Sequence, residues 1–208
     1  GIPLTHRDHA STISIITGSN EHGEEHLKLD WENISTRTGT LVFLMGARKL
    51  PRIVEQLIKF KKKPDTPVAV IQWGTTSRQK TWVGTLNTIV DIATKEKIQP
   101  PTLTIIGEVV NLKPITDWYE TLPLFGKTFV VTRAEEQAES FIHMLEEQGA
   151  EAFLYSSIKT IPPVDWGPLD QSLEELSSYD GLIFTSVNGV DFFSQRLREK
   201  NKDIRELK

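Results

Sequence analysis

The sequence contains no cysteine, only two methionines, and no long apolar run. The lack of cysteine excludes disulfides, thiolate metal sites and a cysteine nucleophile. No apolar stretch approaches the roughly 18 residues that a membrane-spanning helix needs, and no secretory signal pattern opens the chain. With 38% hydrophobic and 25% charged residues, the composition is ordinary for a globular protein. We therefore expect a cytoplasmic protein without a membrane partner.

Concentrated positive charge is also scarce. A nucleic-acid binder usually carries a basic face, whereas the one basic cluster here is Lys61 to Lys63, within a net charge of −4. These lysines follow a predicted helix, where they complement its dipole. The pattern predicts no nucleic-acid partner.

The two ends of the sequence suggest a longer protein. The chain begins with Gly1 rather than methionine, and it ends in a charged stretch from Arg196 to Lys208. We expect both ends to be cuts within a larger polypeptide.

The first half alternates apolar runs with helical patterns. Strands are predicted at residues 12–17, 40–45, 67–71, 79–83 and 103–110. Apolar residues spaced by three and four from Leu50 to Ile58 predict an amphipathic helix, and a second helical face runs from Leu86 to Ala93. This alternation indicates an α/β layer architecture.

Residues 111–127 lack periodicity and carry Pro114, Pro123 and Gly126, which indicates a domain boundary. Beyond it the pattern restarts, with strands predicted at 128–132, 152–158 and 181–186. Helices are predicted around residues 138–145, 169–176 and 190–197. Because crossovers between such strands are right-handed, we expect a parallel β-α-β-α-β-α portion.

Four segments of the first half carry a family resemblance. They are Gly-Ile-Pro-Leu-Thr-His-Arg at 1–7, Thr-Leu-Val-Phe-Leu-Met-Gly at 40–46, Pro-Val-Ala-Val-Ile-Gln-Trp-Gly-Thr at 67–75, and Ile-Ile-Gly-Glu-Val-Val at 105–110. In order and spacing they resemble the uroporphyrinogen-III methyltransferase branch of the tetrapyrrole methylases. The resemblance implies that residues 1–119 are the C-terminal α/β domain of such an enzyme, which forms a homodimer.

That family binds S-adenosylmethionine between two α/β domains, and three positions carry over to this methyl donor. They are Met45 after the second strand, Gly74 after the third and Thr102 at the start of the last strand of this half. Glycine lets a ligand approach the backbone, and methionine offers a polarisable apolar wall. Without the family, Gly74 would merely turn the chain and Met45 would belong to the core.

His6 and Arg7 lie in the motif that the family places beside its tetrapyrrole substrate. An arginine fork suits the substrate's carboxylates; the alternative is an ion pair in domain packing. No catalytic acid or base can be assigned from the sequence.

The second half resembles uroporphyrinogen-III synthase. The join Pro-Leu-Phe-Gly-Lys at 123–127 with Val-Val-Thr-Arg at 130–133, and the turn Phe-Thr-Ser-Val-Asn-Gly-Val at 184–190, carry this resemblance. It implies a partial synthase at residues 128–208, joined by a linker at 120–127. Residues that could hold substrate carboxylates are Thr132, Arg133, Thr185, Ser186 and Asn188. Ser186 at a helix N-terminus could equally serve as a cap.

Metal binding is not predicted. His22 and His26 are spaced by four, but Glu24 and Glu25 do not give the His-Glu-x-x-His pattern of zinc proteases. His6 and His9 lack further ligands, and the Glu135–Glu136 pair is interpreted as a favourable helix start.

The resemblance therefore implies part of a bifunctional enzyme. One activity would methylate uroporphyrinogen III to precorrin-2, and the other would cyclise hydroxymethylbilane to uroporphyrinogen III; the fragment alone is expected to be inactive. Two alternatives stay open: a different tetrapyrrole methylase, and a non-catalytic binding or dimerisation module. The sequence does not distinguish a sirohaem from a cobalamin pathway.

Overall fold

The computed structural model describes residues 1–18, 29–36 and 39–206, except for the side chain of Glu136. His22, Glu24, Glu25 and His26 lie outside the described residues. The chain divides into two compact units: residues 1–131 with 139–153, and residues 132–138 with 154–208.

The first unit is built on a mixed five-stranded sheet. Its strands are β1 (Ile13–Thr17), β2 (Thr40–Leu44), β3 (Pro67–Gln72), β4 (Lys80–Thr85) and β5 (Thr102–Ile106). The order across the sheet is β1-β2-β5-β3-β4. β1 and β2 run parallel, whereas β5 is antiparallel to both β2 and β3, and β3 is antiparallel to β4. All five strands predicted in this half are formed, with ends shifted by a few residues.

Among the described residues, four helices accompany this sheet. They are α1 (Trp31–Thr36), α2 (Leu50–Lys59), α3 (Ile89–Lys95) and α4 (Lys113–Thr116), with 3₁₀ turns at Ala47–Lys49 and Glu108–Leu112. The stripe predicted for α2 is confirmed, because Leu50, Ile53, Val54 and Leu57 are buried. α1 had no periodic signal in the sequence.

The two faces of the sheet carry separate apolar clusters. Val68 and Val70 pack with Phe43 and the buried stripe of α2. Ala69 lies on the other face with Ile105 and the chain start, through Ala10 and the partly buried Ile2 and Leu4. Strand alternation thus fixes which side of the sheet the N-terminal segment covers.

The second half of the chain begins with a two-stranded sheet of β6 (Thr128–Val131) and β7 (Glu151–Leu154), joined by α5 (Glu135–Glu147). α6 (Gly167–Glu174), a 3₁₀ turn at Leu176–Ser178 and α7 (Val187–Glu199) follow, with a last turn at Ile204–Glu206. The α/β class is therefore confirmed.

One predicted element is wrong: residues 181–186 form no strand, so this part has two strands where the pattern predicted three. The prediction for 152–158 was also too long, since β7 ends at Leu154. Ile183 is 93% exposed, and no neighbouring strand in the described chain satisfies the backbone groups of residues 181–186. A strand requires such a partner, so local β propensity is insufficient here.

Charged side chains join α6 to α7 in the second unit. Arg196 donates from Nε and Nη2 to the two oxygens of Asp170 at 2.6 and 2.7 Å, and Lys200 Nζ lies 2.7 Å from Oδ2. Hydrogen bonds from Arg196 and then Lys200 lower the pKa of Asp170 to about 2. Arg196 also lies over the ring of Trp166, at 5.1 Å from its centroid.

We predict that Asp170→Asn lowers the stability of the second unit near neutral pH and that this loss shrinks in acid. The folded pKa of Asp170 is depressed, so its contribution is complete above the unfolded pKa of about 3.9. The contribution then disappears as the pH falls through about 2. Urea unfolding can be followed by fluorine NMR of labelled Trp166, the one tryptophan of this unit. Asp191→Asn, at an exposed position of α7, is the matched control; an Asp170 effect that is independent of pH would contradict the prediction.

Candidate functional site

The register of the central strands gathers three predicted residues at one edge of the sheet. Leu44 at the end of β2 pairs with Leu103, and Gln72 at the end of β3 pairs with Thr102. Because β5 runs opposite to both neighbours, its first residue lies where β2 and β3 end. We call Met45, Gly74 and Thr102 the edge site.

Met45 is presented outward by an unusual backbone conformation. Its φ is 54°, in the left-handed region that side-chain-bearing residues rarely adopt, and it is 63% exposed. The end of β1 packs against this turn, since Gly18 N–H donates to Leu44 O at 2.6 Å. A Cβ on Gly18 would lie 2.7 Å from Gly46 Cα, so the two backbones can approach only with glycine. Met45 is therefore not a core residue.

Gly74 lies in a loop, residues 73–79, that joins β3 to β4. Both of its neighbours are left-handed, with φ of 52° at Trp73 and 63° at Thr75. Trp73 O accepts hydrogen bonds from Thr76 N at 3.2 Å and Thr76 Oγ1 at 2.7 Å. A Cβ on Gly74 would meet no atom closer than 3.6 Å. The described atoms around Gly74 therefore leave room for a side chain, and crowding does not explain the glycine.

Thr102 contributes an unpaired polar atom. Its Oγ1 is buried and has no hydrogen-bond partner, a situation that costs about 1–3 kcal/mol. Three other described hydroxyls share this property, those of Ser35, Thr40 and Thr104. Thr40 begins β2 and Thr104 is central in β5, so Thr102 is the one of these at the edge site.

His6 and Arg7 form a tight turn on the other apolar cluster. His6 N donates to Ala10 O and Ala10 N donates to His6 O, both at 2.9 Å. Asp8 N donates to His6 Nδ1 at 3.2 Å, and the same nitrogen lies 3.9 Å from Asp8 Oδ2. Arg7 is exposed, and the described chain offers its guanidinium no ion pair. Among the described residues, no backbone hydrogen bond joins this turn to Met45, Gly74 or Thr102.

The predicted residues of the second unit directly follow β6 or lie around the start of α7. Ser186 caps α7, since its Oγ accepts from Gly189 N at 3.2 Å. Asn188 Nδ2 donates to Thr160 Oγ1 at 2.9 Å. Arg133 Nη2 lies 3.4 Å from Gln137 Oε1, and Thr185 is exposed.

Polar residues after β7 were missed by the sequence reasoning. Ser157 Oγ donates to Thr132 O at 3.0 Å, and Thr160 holds Asn188. A cavity of about 300 Å³ is lined by Glu135, Ser156, Ser157, Ile158 and Lys159. The sequence signal that could have indicated these residues is Ser156-Ser157, followed by Lys159 and Thr160, just after the apolar run of β7.

The described ranges contain no group of three potential metal ligands. No helix in that part of the chain is long and apolar enough to cross a membrane.

In comparisons with known proteins, two regions of the chain match different family models. Residues 1–90 match the family model of Tetrapyrrole (Corrin/Porphyrin) Methylases, and residues 139–208 match that of Uroporphyrinogen-III synthase HemD. Met45 and Gly74 fall within the first match, and Thr102 lies beyond it. Thr185, Ser186 and Asn188 fall within the second match, which begins after Thr132 and Arg133.

Curated relatives include proteins similar along the whole chain. A uroporphyrinogen-III C-methyltransferase of Bacillus subtilis (strain 168) is 35% identical over 208 residues, 100% of this chain and 42% of the relative. The porphyrin biosynthesis protein HemD of Ruminiclostridium josui is 33% identical over 207 residues, 100% of this chain and 41% of the relative. An S-adenosyl-L-methionine-dependent uroporphyrinogen III methyltransferase of Methanosarcina barkeri is 45% identical over 115 residues, 55% of this chain and 45% of the relative. The chain thus spans less than half the length of these relatives.

We predict that Thr102→Val leaves the stability of the ligand-free protein unchanged or raises it. Valine has nearly the same shape and removes a hydroxyl that is buried without a partner. Thr81→Val is the matched control, because Thr81 Oγ1 donates to Glu120 Oε1 at 2.5 Å and its loss should cost about 1–3 kcal/mol. Urea unfolding of both variants provides the comparison; equal losses would show that Thr102 Oγ1 is satisfied in the folded protein.

Proposed function

We propose that residues 1–119 are the S-adenosylmethionine-binding C-terminal domain of a uroporphyrinogen-III C-methyltransferase. The main observation that supports this proposal is the edge site. There, the exposed Met45 and the loop that contains Gly74 adjoin the buried hydroxyl of Thr102, which lacks a partner. The named methyltransferases among the relatives support the same activity.

The residues of the edge site fit this ligand by their chemistry. Met45 provides an exposed, polarisable apolar surface for an adenosine group. The open side of Gly74 admits a ligand against the main chain, and Thr102 Oγ1 is available for one hydrogen bond. When bound, the cofactor supplies an activated methyl group on a sulfonium.

The chain's contribution to methyl transfer is then mainly positional. Holding the donor and a ring carbon of the substrate in line removes much of the entropic cost of the reaction. Arg7, which has no ion pair among the described residues, is suited to a substrate carboxylate, and His6 precedes it in the same turn. Two such methylations of uroporphyrinogen III would give precorrin-2.

We further propose that residues 128–208 are part of a uroporphyrinogen-III synthase, joined through residues 120–127. The synthase family match and the polar residues at the ends of β6, β7 and the start of α7 support this assignment. Arg133, Thr132, Thr185, Ser186 and Asn188 would hold carboxylates of hydroxymethylbilane, which loses water as it closes with inversion of one pyrrole ring. The synthase product would then be the methyltransferase substrate. The homodimer expected through the first part stays a prediction.

The methyltransferase assignment predicts micromolar binding of S-adenosylhomocysteine to the complete protein. Thr102→Val should weaken it about fivefold, since one hydrogen bond contributes about 1 kcal/mol, and Thr102→Ser should retain it. Isothermal titration calorimetry measures all three affinities. No binding to the wild type would favour a non-catalytic module. Binding without methylation of uroporphyrinogen III would favour a methylase with another substrate.

The synthase assignment predicts that the complete protein converts hydroxymethylbilane to the III isomer of uroporphyrinogen. Arg133→Ala should lower kcat/KM about tenfold or more, because a charge-assisted contact contributes about 1.5–3 kcal/mol. Chromatographic separation of isomers I and III gives the readout. Arg198→Ala, at an exposed position of α7, is the control. Release of isomer I alone by the wild type would contradict the assignment.

A further inference from the structure

Loop 73–79 is connected to a network of side chains far along the chain. Gln79 Oε1 accepts from Thr75 N at 2.8 Å, and Gln79 Nε2 donates to Glu120 Oε1 at 3.0 Å. The same carboxylate accepts from Thr81 Oγ1, and its second oxygen accepts from Lys113 Nζ at 3.0 Å. The side chain of Gln79 therefore links the backbone N–H of Thr75, next to Gly74, to the ion pair of Lys113 and Glu120.

The network is partly buried, which strengthens its electrostatic contacts. The side chains of Lys113 and Glu120 are 16% and 21% exposed. Lys113 also donates to Asp117. Burial opposes the charge of Lys113, but its hydrogen bonds to Asp117 and Glu120 outweigh burial and raise the pKa of Lys113. Shielded from water, such a hydrogen-bonded set holds its members in one arrangement.

The backbone that this network holds is strained. Thr75 has a φ of 63°, which is uncommon for any side chain and rarer still for a β-branched one. Such conformations persist only where surrounding contacts enforce them, and they concentrate at ligand sites. The bond from Thr75 N to Gln79 Oε1 is a contact of this kind, and it adjoins the glycine of the edge site.

We propose that Gln79 is a positioning residue for the edge site: anchored by Glu120 and Lys113, it fixes loop 73–79 in the conformation that receives the methyl donor. The inference rests on the proposed methyltransferase function. Gln79 acts through Thr75 and Gly74. Its amide is required because one end must accept from a backbone N–H while the other donates to a carboxylate.

The amide and carboxylate can be exchanged, which gives a sharp test. Gln79→Glu places two carboxylates against each other and removes the donor to Glu120. In the double variant Gln79→Glu with Glu120→Gln, residue 79 still accepts from Thr75 N and now accepts from the amide of residue 120. That amide's oxygen remains available to Lys113. The link between residues 79 and 120 is restored with reversed polarity. Thr81 Oγ1, which donates to Glu120 Oε1 in the wild type, would instead accept from the new amide, and Lys113 would face an uncharged oxygen.

The measurement is calorimetric affinity for S-adenosylhomocysteine in the complete protein, with circular dichroism and urea unfolding on the same samples. We expect Gln79→Glu to lose about tenfold or more in affinity, and the double variant to return to within about threefold of the wild type, as coupled residues do in a double-mutant cycle. Thr88→Ala is the matched control. It removes the bond from Thr85 N to Thr88 Oγ1, 2.9 Å long, at the far end of β4, and should lower stability while affinity stays unchanged.

The outcomes separate this inference from the function on which it rests. A wild type that does not bind overturns the methyltransferase proposal. If the wild type binds S-adenosylhomocysteine and the folded Gln79→Glu variant binds it with equal affinity, only the positioning role is overturned. Affinity that falls with stability equally in Gln79→Glu and Thr88→Ala, or a double variant that recovers nothing, also overturns the positioning role.

Discussion

The antiparallel placement of β5 between β2 and β3 is the constraint on which the first unit depends. Leu44 pairs with Leu103 and Gln72 with Thr102, so two strand ends and one strand start meet at a single edge. The register is fixed by burial: Val68 and Val70 face one cluster and Ala69 the other. A slip by one residue would exchange the faces and would separate Thr102 from the loop after β3.

Backbone strain at that edge is a consequence of how the strand ends are held. Met45, Trp73 and Thr75 all have positive φ without being glycine. The close approach of Gly18 to Gly46 supports the first of these turns, and the Gln79–Glu120–Lys113 network supports loop 73–79. The surrounding structure thus offsets the conformational free-energy cost of these positive φ values. Strained backbone of this kind is common at ligand sites in proteins.

The second unit is organised by polar contacts around short elements. Asp170 joins α6 to α7 through Arg196 and Lys200, and Thr160 fixes the side chain of Asn188 at the start of α7. Asn188 was predicted from the turn at 184–190, whereas Thr160 and Ser157 were not, because a short run of serines and threonines after a strand is common in loops and is only a weak signal. Residues 181–186 were wrongly predicted as a strand. Their apolar run is clear in the sequence, but it forms no strand because no partner strand pairs with it.

The sequence by itself determined the α/β class, the five strands of the first unit and the buried stripe of α2, because apolar periodicity reports which side chains leave water. The motifs predicted the residues of the edge site, and the chain is similar to relatives named as uroporphyrinogen-III methyltransferases. Only the tertiary structure decided strand order and direction, the exposure of Met45, and the lack of a partner for Thr102 Oγ1. It also decided that Gln79 and Glu120, 41 residues apart, meet beside Gly74. Such contacts depend on long-range register, which local composition does not encode.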